Sequence, residues 1–367
     1  MIKPSAVPAQ IGFYLLLLFS FSVSVFPEFA YFLAGGAFGI WLLQILIFRR
    51  PSFASSRLFY PIFGLCAISL ICLLLSKIFS FDNPTLCAGL YSVFYFVAMS
   101  FVPSQEKRKM ITWTFLSGVI LSLAIDVLSG LSSGGYHDIK SLMISEHLSV
   151  PVLIVFCLGL ANYAASIGFR EKIFYALILL PVGVGVMTID TIITIVLLIM
   201  LLLISIVQDR SGLIVVGLIV VIVFSGLFGL KDRIKMGVES GEYIEIVKKP
   251  LRAIEQNADE LVSAGFYGSL EQGPESEKSF IGSEPFFISL VKSSGPPSLL
   301  FLIWVIFESV RRDFAKIRKS ARREEKAYHL ATFLIIMVII VVNIYESSFS
   351  CSPAILGLWM FLGMTEI

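Results

Sequence analysis

Apolar residues run through this chain in long unbroken blocks, without the polar positions that a water-facing helix needs every few residues. A hydrocarbon layer of about 30 Å takes about 20 helical residues per crossing. About twelve blocks approach that length. They lie near 9–26, 29–48, 59–79, 84–102, 110–129, 148–168, 173–189, 191–207, 212–230, 286–310, 328–345 and 353–366. In such a medium each backbone N–H and C=O must be satisfied inside its own segment, so the blocks predict helices. The expected fold class is all-α: a single polytopic transmembrane domain over 1–367, with one large external loop at 231–284.

The polar gaps between blocks predict an orientation. Arg49, Arg50 and Arg57 follow the second block, Lys107, Arg108 and Lys109 the fourth, Arg170 and Lys172 the sixth, and Arg210 the eighth. After the tenth come Arg311 and Arg312, then Arg318, Lys319, Arg322, Arg323 and Lys326. Basic loops stay on the cytoplasmic side, so every even-numbered span ends inside and both termini are expected in the cytoplasm. The basic run at 311–326 reads as an orientation and lipid-headgroup signal.

The long hydrophilic segment then falls outside. Within it Ile244, Val247, Leu251, Ile254, Ala258 and Leu261 recur at three-and-four spacing, which predicts short amphipathic helices lying over the membrane or roofing a cavity. Pro250 suits the first turn of the second of them. Gly268, Gly273, Pro274 and Gly282 mark the rest as loop. No internal repeat is visible, and nothing in the first half mirrors the large loop, which weakens an inverted-repeat transporter.

Composition closes off other classes. Hydrophobic residues make up 57% and charged residues 15% of the chain, where a soluble protein carries about a quarter charged. A water-soluble globule and a disordered chain are excluded, and a net charge of +2 gives no reason to expect nucleic acid. The five cysteines lie mostly in apolar runs without a C-x-x-C pair, and the three histidines are far apart in sequence. The first block has no small-residue cleavage site after it and is expected to be retained. Asp126, Asp190, Lys77 and Asp82 fall near the external interface, where they either cap and snorkel or line an outward-opening cavity.

The exit from the large segment carries the most specific pattern. Glu284-Pro285-Phe286-Phe287-Ile288 is followed by Gly295-Pro296-Pro297 and an apolar run. This resembles the O-antigen ligase and polymerase superfamily of membrane glycan polymerases and ligases. There a polar residue, often histidine followed by asparagine, precedes an aromatic-aliphatic pair, with glycine about eleven residues on. Gly295 stands in that glycine place relative to Glu284, and Phe287-Ile288 in the place of the pair. The ending Tyr345-Glu346-Ser347-Ser348, then Pro353, Gly357 and Gly363, is also similar. Resemblance at residue level covers about 283–307 and the tail; elsewhere it is one of topology. Glu284 and Pro285 replace the histidine and asparagine, which disfavours the ligase branch. Thr188-Ile189-Asp190-Thr191 stands where the family often has an arginine.

The resemblance implies polymerisation of polyprenyl-diphosphate-linked repeat units on the periplasmic side of a bacterial inner membrane. Arg252, or else Arg233, then corresponds to the family's large-loop arginine, a guanidinium fork for the leaving diphosphate, helped by Lys248 and Lys249. Glu284 is the candidate general base for the acceptor hydroxyl. His137, Asp190 and Tyr267 are candidates for sugar contact. No D-x-D pattern occurs, and transfer without metal or other cofactor is expected. Expected partners are the lipid-linked glycan donor and acceptor, the bilayer, a chain-length regulator and a flippase. Blander roles stay open: Arg252 beside Glu255 and Gln256 suits a solvated helix face, Glu284-Pro285 suits a helix entry, and Tyr267 suits an interfacial anchor. The alternatives in function are ligation of finished glycan to an acceptor, and transport of lipid-linked oligosaccharide.

Overall fold

The computed structural model describes residues 6–48, 56–78, 89–132, 146–189, 290–291, 294–320, 322–345 and 353–366. All regular structure among them is helical. In chain order the helices are α1 (Ala6–Val25), α2 (Pro27–Phe48), α3 (Phe59–Ile78), a 3-10 turn (Tyr91–Val93) running into α4 (Phe94–Phe101), α5 (Gln105–Ser132), α6 (Glu146–Ala165) and α7 (Phe169–Ile189). After the large segment come α8 (Pro296–Lys319), α9 (Arg323–Tyr345) and α10 (Pro353–Met364). Among the described residues, three stretches are long and apolar enough to cross a membrane, Val7–Val25, Pro27–Ile47 and Gln105–Asp126. The chain is therefore a helical membrane protein. The expected spans at 191–207 and 212–230 and the amphipathic helices of the large loop lie outside the described residues.

Local chemistry explains the breaks. Phe26 alone separates α1 from α2, because Pro27 lacks the N–H that would continue the first helix and suits the first position of the next. The tenth block differs from its expected limits. It does not run as one helix from 286 to 310; a break stands at Gly295, and α8 continues through Lys319. Gly295 adopts φ 76° and ψ 168°, a backbone region open essentially to glycine alone, and Pro296 and Pro297 follow at the first helical positions. Beyond the apolar part, the helix carries on because Arg311 reaches back to Glu308 and because Lys316, Arg318 and Lys319 suit the negative end of the helix dipole.

Contacts along the helices define their directions. Lys107 lies over the Phe13 ring, Gly118 meets Phe21, and the Ser122 hydroxyl donates to the Ser24 carbonyl at 2.8 Å, so α1 and α5 run parallel. Arg57 faces Glu308, Gly64 meets Phe301, and Cys72 meets the Ser294 carbonyl, so α3 and α8 run antiparallel. Lys109 pairs with Glu324, and Trp113 packs on Phe174. These pairs bring Arg57, Lys107, Arg108, Lys109, Arg311 and Arg312 to one end of the bundle, while the head of α8 lies at the opposite end.

The short helix α4 sits at the centre. It is buried along most of its length, and packs against α1, α2 and α10. Phe94 meets Phe19 edge to face, with ring centroids 5.0 Å apart, and Trp41 of α2 donates to Ser100 at 3.1 Å. Around it, α5 joins α10 through the Phe115–Phe361 ring pair at 5.2 Å. Hydrocarbon gives helices no hydrophobic reason to associate, so close backbone approach supplies much of the attraction. At Gly118 an added Cβ would stand 2.6 Å from the Phe21 carbonyl oxygen, a rigid neighbour on the adjoining helix.

Gly118→Ala is accordingly expected to destabilise the bundle by about 1–3 kcal/mol, since two backbones must separate. Gly35, with open space where a Cβ would go, is the control: Gly35→Ala should be neutral or gain up to about 1 kcal/mol of helix propensity. Thermal unfolding of the two variants in detergent would check the contrast.

Candidate functional site

The one end that collects the basic residues also buries charge. Asp313, on the inner face of α8, is 0% exposed, and His329, near the start of α9, is 1% exposed. His329 Nδ1 lies 2.9 Å from Asp313 Oδ1. A carboxylate only accepts, so Nδ1 is the donor in this bond. Arg312 Nε donates to the same Oδ1 at 3.0 Å. The other arm of that guanidinium reaches the turn after α10, where Nη2 donates to Thr365 Oγ1 at 2.8 Å and Nη1 pairs with Glu366. Burial works against the charge on Arg312, but Asp313 and Glu366 outweigh it and hold its pKa above the usual arginine value. Tyr95 of α4 stands within electrostatic reach of Glu366, and its hydroxyl shares a 2.7 Å hydrogen bond with Ser56, just before α3.

One guanidinium thus ties α8 to the end of α10, and one carboxylate ties α8 to α9. Asp313 Oδ2 and, one turn earlier, Ser309 Oγ are buried and have no partner among the described residues. A second layer flanks the cluster. Arg108 is buried with its guanidinium 4.9 Å from the Tyr328 ring centre, Tyr328 shares a hydrogen bond with Thr112 at 3.2 Å, and Lys109 pairs with Glu324 at 2.6 Å in the open. An imidazole oriented by a carboxylate is the arrangement that prepares a general base. Burial closes this one off from solvent, so its visible work is to join helices.

Two expectations change here. The basic run at 311–326 is not simply a headgroup signal, because Arg312 turns inward among carboxylates. It is also not loop: α8 and α9 cover most of it, with a short connection between them. His329, which looked isolated in sequence, has a carboxylate partner sixteen residues away. The only local hint was Glu308 and Asp313 interrupting a basic stretch. Asp313's partner Arg312 also reaches Glu366, which comes from a distant part of the chain.

The residues expected to carry glycan chemistry are a separate set. Glu284, Arg252, Arg233, Lys248, Lys249, His137, Asp190 and Tyr267 all lie outside the described residues. Of the neighbouring expectations, Gly295 is placed at the head of α8, and Asp126 lies half-buried late in α5.

Breaking the inner cluster should cost more than breaking the outer pair. Asp313→Asn takes from Arg312 one of its two carboxylates and from His329 its carboxylate partner, and is expected to destabilise by about 3–5 kcal/mol. Glu324→Gln removes an exposed pair and should cost about 1 kcal/mol or less. Unfolding of both in the same detergent would give the ranking, and equal losses would contradict it. Compared with known proteins, the chain matches no family model and no curated protein.

Proposed function

We propose that this protein polymerises polyprenyl-diphosphate-linked oligosaccharide units into a surface polysaccharide, on the periplasmic side of a bacterial inner membrane, with both termini in the cytoplasm. The observation that carries the proposal is the junction at Gly295. The glycine picked out by the resemblance holds a backbone conformation with φ 76°, and from it α8 departs. The conformation gives that glycine a physical reason. It separates the 231–284 segment, which bears the candidate chemistry, from a long helix anchored at its other end by the buried charges.

The proposed chemistry follows from residue types. The acceptor hydroxyl oxygen attacks the anomeric carbon of the donor sugar, and its proton passes to Glu284. The bond from the anomeric carbon to the diphosphate oxygen breaks, and the lipid diphosphate leaves with the electron pair. Arg252 clamps that developing charge, with Arg233, Lys248 and Lys249 adding positive potential. His137, Asp190 and Tyr267 are assigned to the sugars. Bond cleavage through an oxocarbenium-like state follows by analogy with glycoside hydrolysis. Transport fits less well: among the described residues, charged side chains gather near the ends of the helices and do not mark a path through them.

Arg252→Lys keeps charge but loses the planar fork, and is expected to abolish most polymer; full-length polymer in that variant would count against the clamp. Glu284→Gln keeps size and removes the base, and should reduce turnover about 100-fold or more, within the range of general-base contributions. The glycan profile of a deletion strain tests the function itself. Single-repeat products are expected, whereas unattached full-length polymer would identify a ligase.

A further inference from the structure

Outside the buried cluster, the same end of the bundle carries two arginines that face the surroundings. Arg57, in the turn before α3, has a side chain 76% exposed, and Arg311 of α8 one that is 52% exposed. Both address a single carboxylate. Glu308, itself largely buried, accepts from Arg311 Nε at 3.0 Å and Nη2 at 2.7 Å, and lies 4.0 Å from Arg57 Nη1. Two guanidiniums around one carboxylate leave one positive charge, and each guanidinium has five N–H donors, more than Glu308 can take. Glu308 therefore works as a positioning residue that holds the fork from the turn before α3 beside the fork on α8.

The surface running away from this point along α3 and α8 is apolar and exposed. Tyr60 and Phe63 project from α3, and Leu300, Trp304 and Phe307 from α8. The two helices are in contact beneath them, with Phe301 against Gly64. An exposed apolar strip ending in paired arginines matches, by charge and by shape, one class of molecule: a lipid whose chains lie in hydrocarbon and whose headgroup carries a phosphate. Arginine forks fit phosphate oxygens bidentately, and phosphatidyl headgroups sit at the level where a helix passes from apolar to charged residues.

The geometry points to a binding site for one anionic glycerophospholipid, with its phosphate on Arg57 and Arg311 and an acyl chain along Tyr60, Phe63, Trp304 and Phe307. The site needs only the membrane helices and is independent of the glycan chemistry proposed above.

Full-length protein would be reconstituted in phosphatidylcholine bilayers containing graded phosphatidylglycerol, then extracted, and its retained lipid counted by native mass spectrometry. Wild type is expected to retain phosphatidylglycerol over phosphatidylcholine. Arg57→Gln and Arg311→Gln should each lower that retention about fivefold, the factor expected for one basic residue at an anionic surface. Arg57→Lys, which preserves charge and protects against a folding artefact, should fall between wild type and Arg57→Gln. The double variant Arg318→Gln/Lys319→Gln, farther along α8, should retain as much as wild type. Equal loss in that double variant would mean diffuse attraction to the basic run and would overturn the site. So would undiminished retention in a folded Arg57→Gln/Arg311→Gln protein.

Discussion

A charge or an unpaired polar group is costly in an apolar medium, and in this bundle that cost decides where everything else can go. Backbone groups are satisfied by making every described element a helix. Side-chain charges are treated in two ways. Most are moved to helix ends, and those that remain buried are held against opposite charges or, as with Arg108, against an aromatic ring. Arg312 is the clearest case, since its two arms reach Asp313 on its own helix and Glu366 beyond α10. Such a network adds little net stability when weighed against well-packed apolar side chains, because desolvation consumes most of the attraction. Removing one member would leave its partners buried with fewer opposite charges, so the network favours the arrangement in which α8, α9 and α10 end together.

Helix α8 shows how one element serves several surroundings at once. Its inner face carries Ser298, Val305, Ser309 and Asp313, all buried. Its outer face carries Leu300, Ile303, Trp304 and Phe307, all exposed. Past the apolar stretch the same division continues in charge, with Arg312 turned inward and Arg311 outward. Adjacent residues of one type thus meet different partners, because about 100° of rotation per residue sends them to different sides. At its head, Gly295 redirects the chain. Its far end is tied to α9 through Asp313 and to the turn after α10 through Arg312.

The positions of α1, α2 and α3 were legible from the blocks of apolar residues within a few positions, because each block is bounded by proline or by charge. The tenth block was not legible in the same way. Hydropathy ends it at Arg311, but helix geometry does not stop where apolar residues stop, and the i,i+3 pair of Glu308 with Arg311 carries it into the polar region. At its start, hydropathy ran through Gly295, whose conformation is a property of the backbone. The candidate glycan residues were visible as types and spacings, with Arg252 and Glu284 in a hydrophilic segment. The Asp313–His329–Arg312–Glu366 cluster was not visible, because its members are separated by up to 53 residues from Asp313 and look individually like interfacial charges.

Sequence by itself determined that this chain lives in a membrane as helices, since hydrocarbon thickness and backbone hydrogen bonding leave no other use for apolar blocks of that length. Only the tertiary structure decided which charges face one another and which face outward. Those choices depend on the rotation and neighbours of each helix, and Arg311 and Arg312, adjacent and identical in kind, were sent to opposite environments by nothing more than that.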